Sequence, residues 1–270
     1  TITNTERYAV EDVEVSFFQN GFMDGPTPSQ RIPVIEPGDS VTVGLLASFN
    51  DEVFSREGIT PLTGEVITTY TARGRPAEQR QAVTYDMHDK TALTWDDDRK
   101  VAAFITPADS ALRNYASYIR RIGAESTVEG LSDRLEIAMQ VYHGLAQQEI
   151  FYQEDPTSPF TRVQENQFMV DSISLPRSTL TRATGDCDDL TVLYNSLLET
   201  LGVETGFITV PGHIYTVFNT GVSSRDYQEL HPNREMVIDI EGEAWVPVEV
   251  TLIGRENFLG AWRTGIDLWQ

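Results

Sequence analysis

Thr184-Gly185-Asp186-Cys187-Asp188-Asp189-Leu190, running on through Leu193, Tyr194, Leu197 and Leu198 to Leu201-Gly202, decides how this chain folds. Leu190, Leu193, Tyr194, Leu197, Leu198 and Leu201 recur at helical spacing and mark one apolar face. Gly202 stands where such a helix ends. Asp186 suits the N-cap, and Asp188 and Asp189 suit the first turn, where unpaired N–H groups favour acceptors and negative charge. The one cysteine, Cys187, therefore stands at a helix N-terminus. A lone cysteine is either a small buried hydrophobe or a nucleophile. The helix start favours the nucleophile, because its N–H groups and dipole stabilise a thiolate. Three neighbouring aspartates oppose this, so a positive partner such as an imidazolium must outweigh them.

That partner is legible downstream. Gly206 to Val210 reads as a strand, Pro211-Gly212 as a turn, and His213 to Phe218 as the next strand, with His213 at its start. Met236 to Ile240 and Ala244 to Val250 form a hairpin turning at Glu241-Gly242-Glu243, which can lie beside the His213 strand. A Cys–His pair needs an acceptor on the second ring nitrogen. Two carboxylates compete for that place: Glu249, embedded in an otherwise apolar strand, and Asp239, between Ile238 and Ile240.

Taken in order, Gly185-Asp186-Cys187-Asp188-Asp189-Leu190, Pro211-Gly212-His213 and Trp245-Val246-Pro247-Val248-Glu249-Val250-Thr251 resemble the transglutaminase-like superfamily, over a core from about residue 108 to 262. The resemblance implies a papain-like α+β fold, with Cys187 as nucleophile, His213 as general base and acid, and an acid that orients the imidazole. The family usually places Asp third, in a Trp-x-x-x-Asp-x-Thr pattern; Glu249 stands there in this chain. It also implies an oxyanion donor at the Cys187 backbone N–H and an upstream aromatic, matched by Tyr152, which reads equally as a core tyrosine at a helix end. The implied chemistry is thiol-dependent acyl transfer on an amide of a protein or peptide. Water as acceptor makes a cysteine protease or amidase, as many bacterial members look to be. A lysine amine makes a cross-linking transglutaminase. A catalytically idle binding or scaffolding module with an inherited triad is the third alternative.

Upstream the periodicity stays helical back to Pro107. Leu112, Tyr115, Ala116, Ile119 and Ile122 make one stripe, stopped by Gly123. Ser126-Thr127-Val128-Glu129 fits a capping box before a second stripe of Leu131, Leu135, Ala138, Val141, Tyr142 and Leu145, with His143 outside it on the surface. A polar loop from Gln153 to Pro159 can shape a cleft. The first 106 residues are β-rich instead. Strands are expected at Val13–Phe17, Ser40–Leu45, Val66–Ala72, Gln81–Tyr85, Ala92–Trp95 and Val101–Ile105, with Pro- and Gly-rich turns between them. The expected architecture is α+β: an Ig-like β-sandwich over 1–106, then a papain-like, transglutaminase-type domain over 107–270.

Composition narrows the partners. Of 270 residues, 40% are hydrophobic and 23% charged, which excludes disorder along the whole length. No run of about 18 apolar residues occurs, so no membrane span is expected. With 41 acidic against 20 basic residues and a net charge of −21, nucleic acid and anionic membranes are disfavoured. One cysteine excludes an internal disulfide. Asp96-Asp97-Asp98 lacks EF-hand spacing and reads as a solvated turn, as His88 beside Asp89 reads as surface. A zinc site of Cys187, His213 and a carboxylate lacks CxxC or HExxH spacing, so no metal or cofactor is expected. A chain starting at Thr1 and stopping at Asp267-Leu268-Trp269-Gln270 is expected to be part of a longer protein. By analogy with exported enzymes that carry β-domains, the periplasm or cell exterior is the expected location.

Overall fold

The computed structural model describes residues 1–124, 130–154 and 170–270. The predicted capping box at Ser126–Glu129 and the Asp155–Pro159 part of the polar loop lie outside the described residues. The chain is a mixture of helix and strand with a β-rich N-terminal region, and it forms two compact units, Thr1–Lys90 and Thr91–Gln270.

In the first unit β1 (Ile2–Thr3), β2 (Val10–Phe18), β3 (Thr27–Pro28), β4 (Ile32–Ile35), β5 (Ser40–Val41), β6 (Thr60–Ala72) and β7 (Arg75–Met87) are all paired antiparallel. One sheet runs β3-β2-β6-β7 with β4 also on β2, and β1 pairs β5 as a separate ladder. Arg73 and Gly74 close the β6–β7 hairpin with φ of 51° and 71°, the double positive φ that a two-residue hairpin loop requires. The unit is β-rich as expected, but it lacks the two comparable sheets of an Ig-like sandwich. Ser40–Leu45 yields only the two-residue β5, and β7 is exposed along nearly its whole length, leaving little apolar surface for a second sheet to cover. The small core is Val10, Val13 and Ile35, with Ile2, Ile32 and Val41 against it.

The second unit begins sixteen residues before the expected boundary of 107, at Thr91. Its opening stretch is committed to it by packing. β8 (Ala92–Thr94) pairs antiparallel with a later strand at Val170–Ser172, and Leu93, Trp95, Val101 and Phe104 share a cluster with Ile173, Cys187, Val192 and Ile214. The expected strand at Val101–Ile105 is instead a 3-10 helix, Asp98–Phe104, which buries Val101 and Phe104, three residues apart. A five-residue apolar run does not distinguish the two periods.

The rest of the unit comprises α1 (Ser110–Gly123), α2 (Asp133–Gln147), β9 (Phe151–Tyr152), β10 (Val170–Ser172), α3 (Pro176–Arg182), β11 (Thr184–Gly185), α4 (Cys187–Thr200), β12 (Thr205–Val210), β13 (His213–Ser223), β14 (Ile238–Ile240), β15 (Glu243–Val248) and α5 (Phe258–Trp269). α2 is capped by Ser132, whose Oγ accepts from Leu135 N and donates to Thr220 O. The main sheet is antiparallel in the order β12-β13-β15-β14, so the expected hairpin does lie beside the His213 strand. α4 is more deeply placed than its single apolar stripe suggests, for every residue from Cys187 to Leu198 is buried. Its polar face is accommodated by hydrogen bonds: Thr216 Oγ1 donates to Asn195 Oδ1 at 2.9 Å, Asn195 Nδ2 to Gly206 O at 2.9 Å, and Thr106 N to Ser196 Oγ at 3.0 Å. Among the described residues no helix is long and apolar enough to cross a membrane.

α5 closes on β15 through Gly265, where a Cβ would stand 2.9 Å from the carbonyl carbon and oxygen of Pro247. Gly265→Ala gains about 1 kcal/mol of helix propensity but drives a methyl into backbone that cannot yield, at a cost of about 1–3 kcal/mol. The expected net result is a loss of up to about 2 kcal/mol, read as a lower midpoint in urea unfolding; a midpoint raised by the full helix-propensity gain contradicts this close approach.

Candidate active site

Cys187 is placed by the turn that starts α4. Gly185 pairs with Tyr152 across the parallel β9–β11 ladder, and a Cβ on Gly185 would meet Asp189 Cβ at 2.6 Å, so the close turn requires glycine. Asp186 is the N-cap, its Oδ1 accepting from Asp189 N at 3.3 Å. The thiol is 5% exposed, in the cluster with Val192, Ile173 and Ile214. Burial, then the neighbouring Asp188 and Asp186, push its pKa well above the ordinary thiol value, while backbone N–H groups of Ile214 and Asp188 pull the other way. Burial, joined by the opposition expected from the aspartates, therefore prevails over the helix terminus and favours the neutral thiol.

Beside it, the sheet assembles an imidazole–carboxylate pair. His213 Nε2 and Glu249 Oε2 are 2.5 Å apart. Glu249 is 3% exposed, and it follows β15 directly, as N-cap of the 3-10 turn Val250–Leu252. Its other oxygen accepts from Thr251 N at 3.0 Å and Thr251 Oγ1 at 2.5 Å, while its backbone N donates to Ala261 O at 3.0 Å. Both carboxylate oxygens are thus fixed, one by the chain and one by the imidazole. Cys187 reaches the neighbouring residue of this pair, through the Ile214 N–H and side-chain packing on Ile214. Among the described residues no hydrogen bond joins Cys187 directly to His213.

The other sequence candidates fall out differently. Asp239 lies on β14, at the sheet's outer edge, separated by β15 from the His213 strand. Its carboxylate accepts from Ser224 Oγ at 2.6 Å and Gly242 N at 3.0 Å, bonds that, with Arg234 nearby, lower its pKa. It therefore shapes the β14–β15 turn and does not orient His213. Tyr152, half-buried, packs against the Cys187 cluster, and burial followed by the nearby Cys187 raises its phenol pKa. Its carbonyl accepts from Arg255 Nη2 at 3.3 Å, and the Arg255 guanidinium lies 5.7 Å from its ring centroid.

Two clusters of aspartates differ in their surroundings. Asp96 pairs with Lys100 and Asp97 with Arg99 within the turn, and Asp98 accepts from Thr209 Oγ1 at 2.7 Å, far along the chain. Asp186, Asp188 and Asp189 gather ligand atoms within 4.8 Å of one another, all buried. Among the described residues no such gathering joins Cys187, His213 and a carboxylate. Asp188 is fully buried, and neither of its oxygens meets a conventional donor. Burial first, then contact with Asp186, raises its pKa well above the carboxylate range, which favours the neutral acid. Asp189, accepting from Ser174 N at 2.6 Å, is pushed up to about 6 by burial and by Asp186.

Two participants were not singled out from the sequence. Thr251 lies inside the quoted Trp245–Thr251 run and clamps Glu249. Tyr215 follows His213 by two residues, the spacing that puts two side chains on one face of a strand, and its ring stacks on the imidazole.

The second unit is thus of mixed α+β class, with a buried cysteine at a helix start packed on Ile214, and an imidazole–carboxylate pair that begins at the preceding residue of the same strand. No family model, curated protein or solved structure matches the chain.

Proposed function

We propose that this chain is a thiol-dependent acyl-transfer enzyme of transglutaminase-like type, with a papain-like second unit, and that it acts as a cysteine protease or amidase on protein or peptide substrates. The observation that carries the reading is the 2.5 Å bond between His213 Nε2 and the buried Glu249 carboxylate. A carboxylate accepts only, so Nε2 bears the proton and Nδ1 is the basic nitrogen. Nδ1 takes the thiol proton as Cys187 Sγ attacks the amide carbonyl. The oxyanion forms at the α4 start, where the Cys187 N–H and the Tyr152 hydroxyl are the candidate donors. The imidazolium faces Glu249, and it returns the proton to the leaving amine. Water then attacks the thioester, losing its proton to His213 and freeing the thiol. The sulfur and the imidazole have to be brought together when substrate binds, for catalytic bonds often form only in the substrate complex.

An idle module remains the second reading, favoured by the buried thiol with its raised pKa. Alkylation of the single cysteine by iodoacetamide, followed against pH, separates the two. With imidazole assistance, wild type reacts through a limb below the free-thiol pKa of about 8.5, and His213→Ala loses at least about 10-fold at pH 7. Equal rates in the two proteins select the idle module. Turnover of a peptide amide with and without an added primary amine then separates hydrolysis from cross-linking.

A further inference from the structure

We infer that Tyr215 is a positioning residue for His213: its ring fixes the imidazole plane and fills the space behind the His213–Glu249 hydrogen bond, keeping water out of its buried side. The catalytic meaning of this role rests on the acyl-transfer reading, whereas its geometry does not. The two rings lie 5.9 Å apart between centroids and within 18° of parallel. His213 has a side chain 24% exposed, so one side of the imidazole meets solvent, while Tyr215 is fully buried behind it. The strand's other face carries Ile214 against Cys187 and Val192. An imidazole at a strand start is held by one hydrogen bond alone unless something fixes its rotation about that bond. The Tyr215 ring supplies that second constraint.

The surroundings support the same role. Glu249 lies close enough to Tyr215 for its charge to add to burial in pushing the phenol to about 12, so ring and carboxylate flank the imidazole together. Tyr142 from α2 also senses the Glu249 charge. The Tyr215 hydroxyl is buried with no hydrogen-bond partner. An unpaired buried hydroxyl does not stabilise the fold, so the ring is the part that acts.

Proton NMR tests this without a substrate. A short N–H···O bond shielded from water gives a far-downfield imidazole resonance, assigned to His213 by its absence in His213→Ala. The resonance is expected in wild type and in Tyr215→Phe, which keeps the ring. In Tyr215→Leu it is expected to vanish by exchange, with Cys187 alkylation at pH 7 slower on the order of 10-fold. Tyr215→Met, closer in volume, takes the place of the leucine variant if circular dichroism shows that variant unfolded. A resonance as sharp in the leucine or methionine variant as in wild type overturns the inference, and so does its loss in Tyr215→Phe or its absence from wild type. A resonance that obeys these expectations while alkylation ignores His213→Ala leaves the positioning role standing and removes the acyl-transfer reading alone.

Discussion

Glu249→Gln is expected to slow the His213-dependent chemistry of Cys187 by about 10²- to 10⁴-fold while leaving the protein folded. The size of the effect follows from hydrogen-bond bookkeeping at one side chain. In the native protein both Glu249 oxygens accept: one from the Thr251 N–H and hydroxyl, the other from His213 Nε2. Glutamine has one accepting oxygen and one donating nitrogen. The Thr251 backbone N–H can only donate, so the glutamine oxygen turns towards it and the amide NH₂ faces His213. Nε2 must then accept, which moves the ring proton to Nδ1 and leaves no basic nitrogen for the thiol. The charge that would face the imidazolium is lost as well. Shape is conserved, so the thermal midpoint should move little. The pH profile of Cys187 alkylation is the measurement: the variant should lose the low-pH limb as His213→Ala does, and a profile superimposable on wild type would falsify the assignment of Glu249.

How much of this site the sequence discloses depends on the range of the interaction. Asp186, Cys187 and the α4 stripe are read correctly because an N-cap and a helical period are local. The placement of His213 next to Glu249 needs only that β13 and β15 be neighbours, which the hairpin signal at Glu241-Gly242 supports. The choice of Glu249 over Asp239 is not local. Both sit in apolar strands, and they differ only in that β14 is the sheet edge, while Glu249 lies just past the end of the inner strand β15, a matter of strand order. The Val101–Phe104 stretch and the boundary at Thr91 are missed for a related reason, since both are decided by contacts with Ile173 and Ile214, far along the chain. In the first unit, alternation locates β2, β6 and β7 but is silent on whether a second full sheet exists to cover them. The raised thiol pKa is foreseeable in direction from three flanking carboxylates; that burial is its largest cause is not, because one stripe of leucines does not reveal a helix buried on all sides.

Asp188→Asn is expected to change sign in its effect on stability as pH rises. The Asp188 carboxyl is protonated in the folded protein well above the usual carboxylate range, because of burial and of Asp186. The unfolded chain releases that proton near pH 4. A folded-state pKa that is raised gives stability that is complete below the unfolded value and is lost as pH climbs towards the folded one, at about 1.4 kcal/mol per pH unit for a single group. Asn needs no proton, so the variant escapes this loss. It does carry a cost of its own: one amide N–H can take over the bond to Asp186, but the other finds no acceptor, which costs about 1–3 kcal/mol at every pH. Near pH 4 the variant should therefore melt lower than wild type. At higher pH, once the lost proton linkage exceeds that cost, the variant should melt higher, by about 2–4 °C for each kcal/mol gained. Subtracting the two melting curves at each pH removes the opposite trend of the ion-paired Asp96, Asp97 and Asp109, whose pKa values are lowered and whose contribution is lost only in stronger acid. A difference that stays constant from pH 4 to pH 8 means that Asp188 is ionised in the folded protein. The charge pressing on the Cys187 thiol would then be two carboxylates rather than one neutral acid and one carboxylate, and the imidazole would have that much more to overcome.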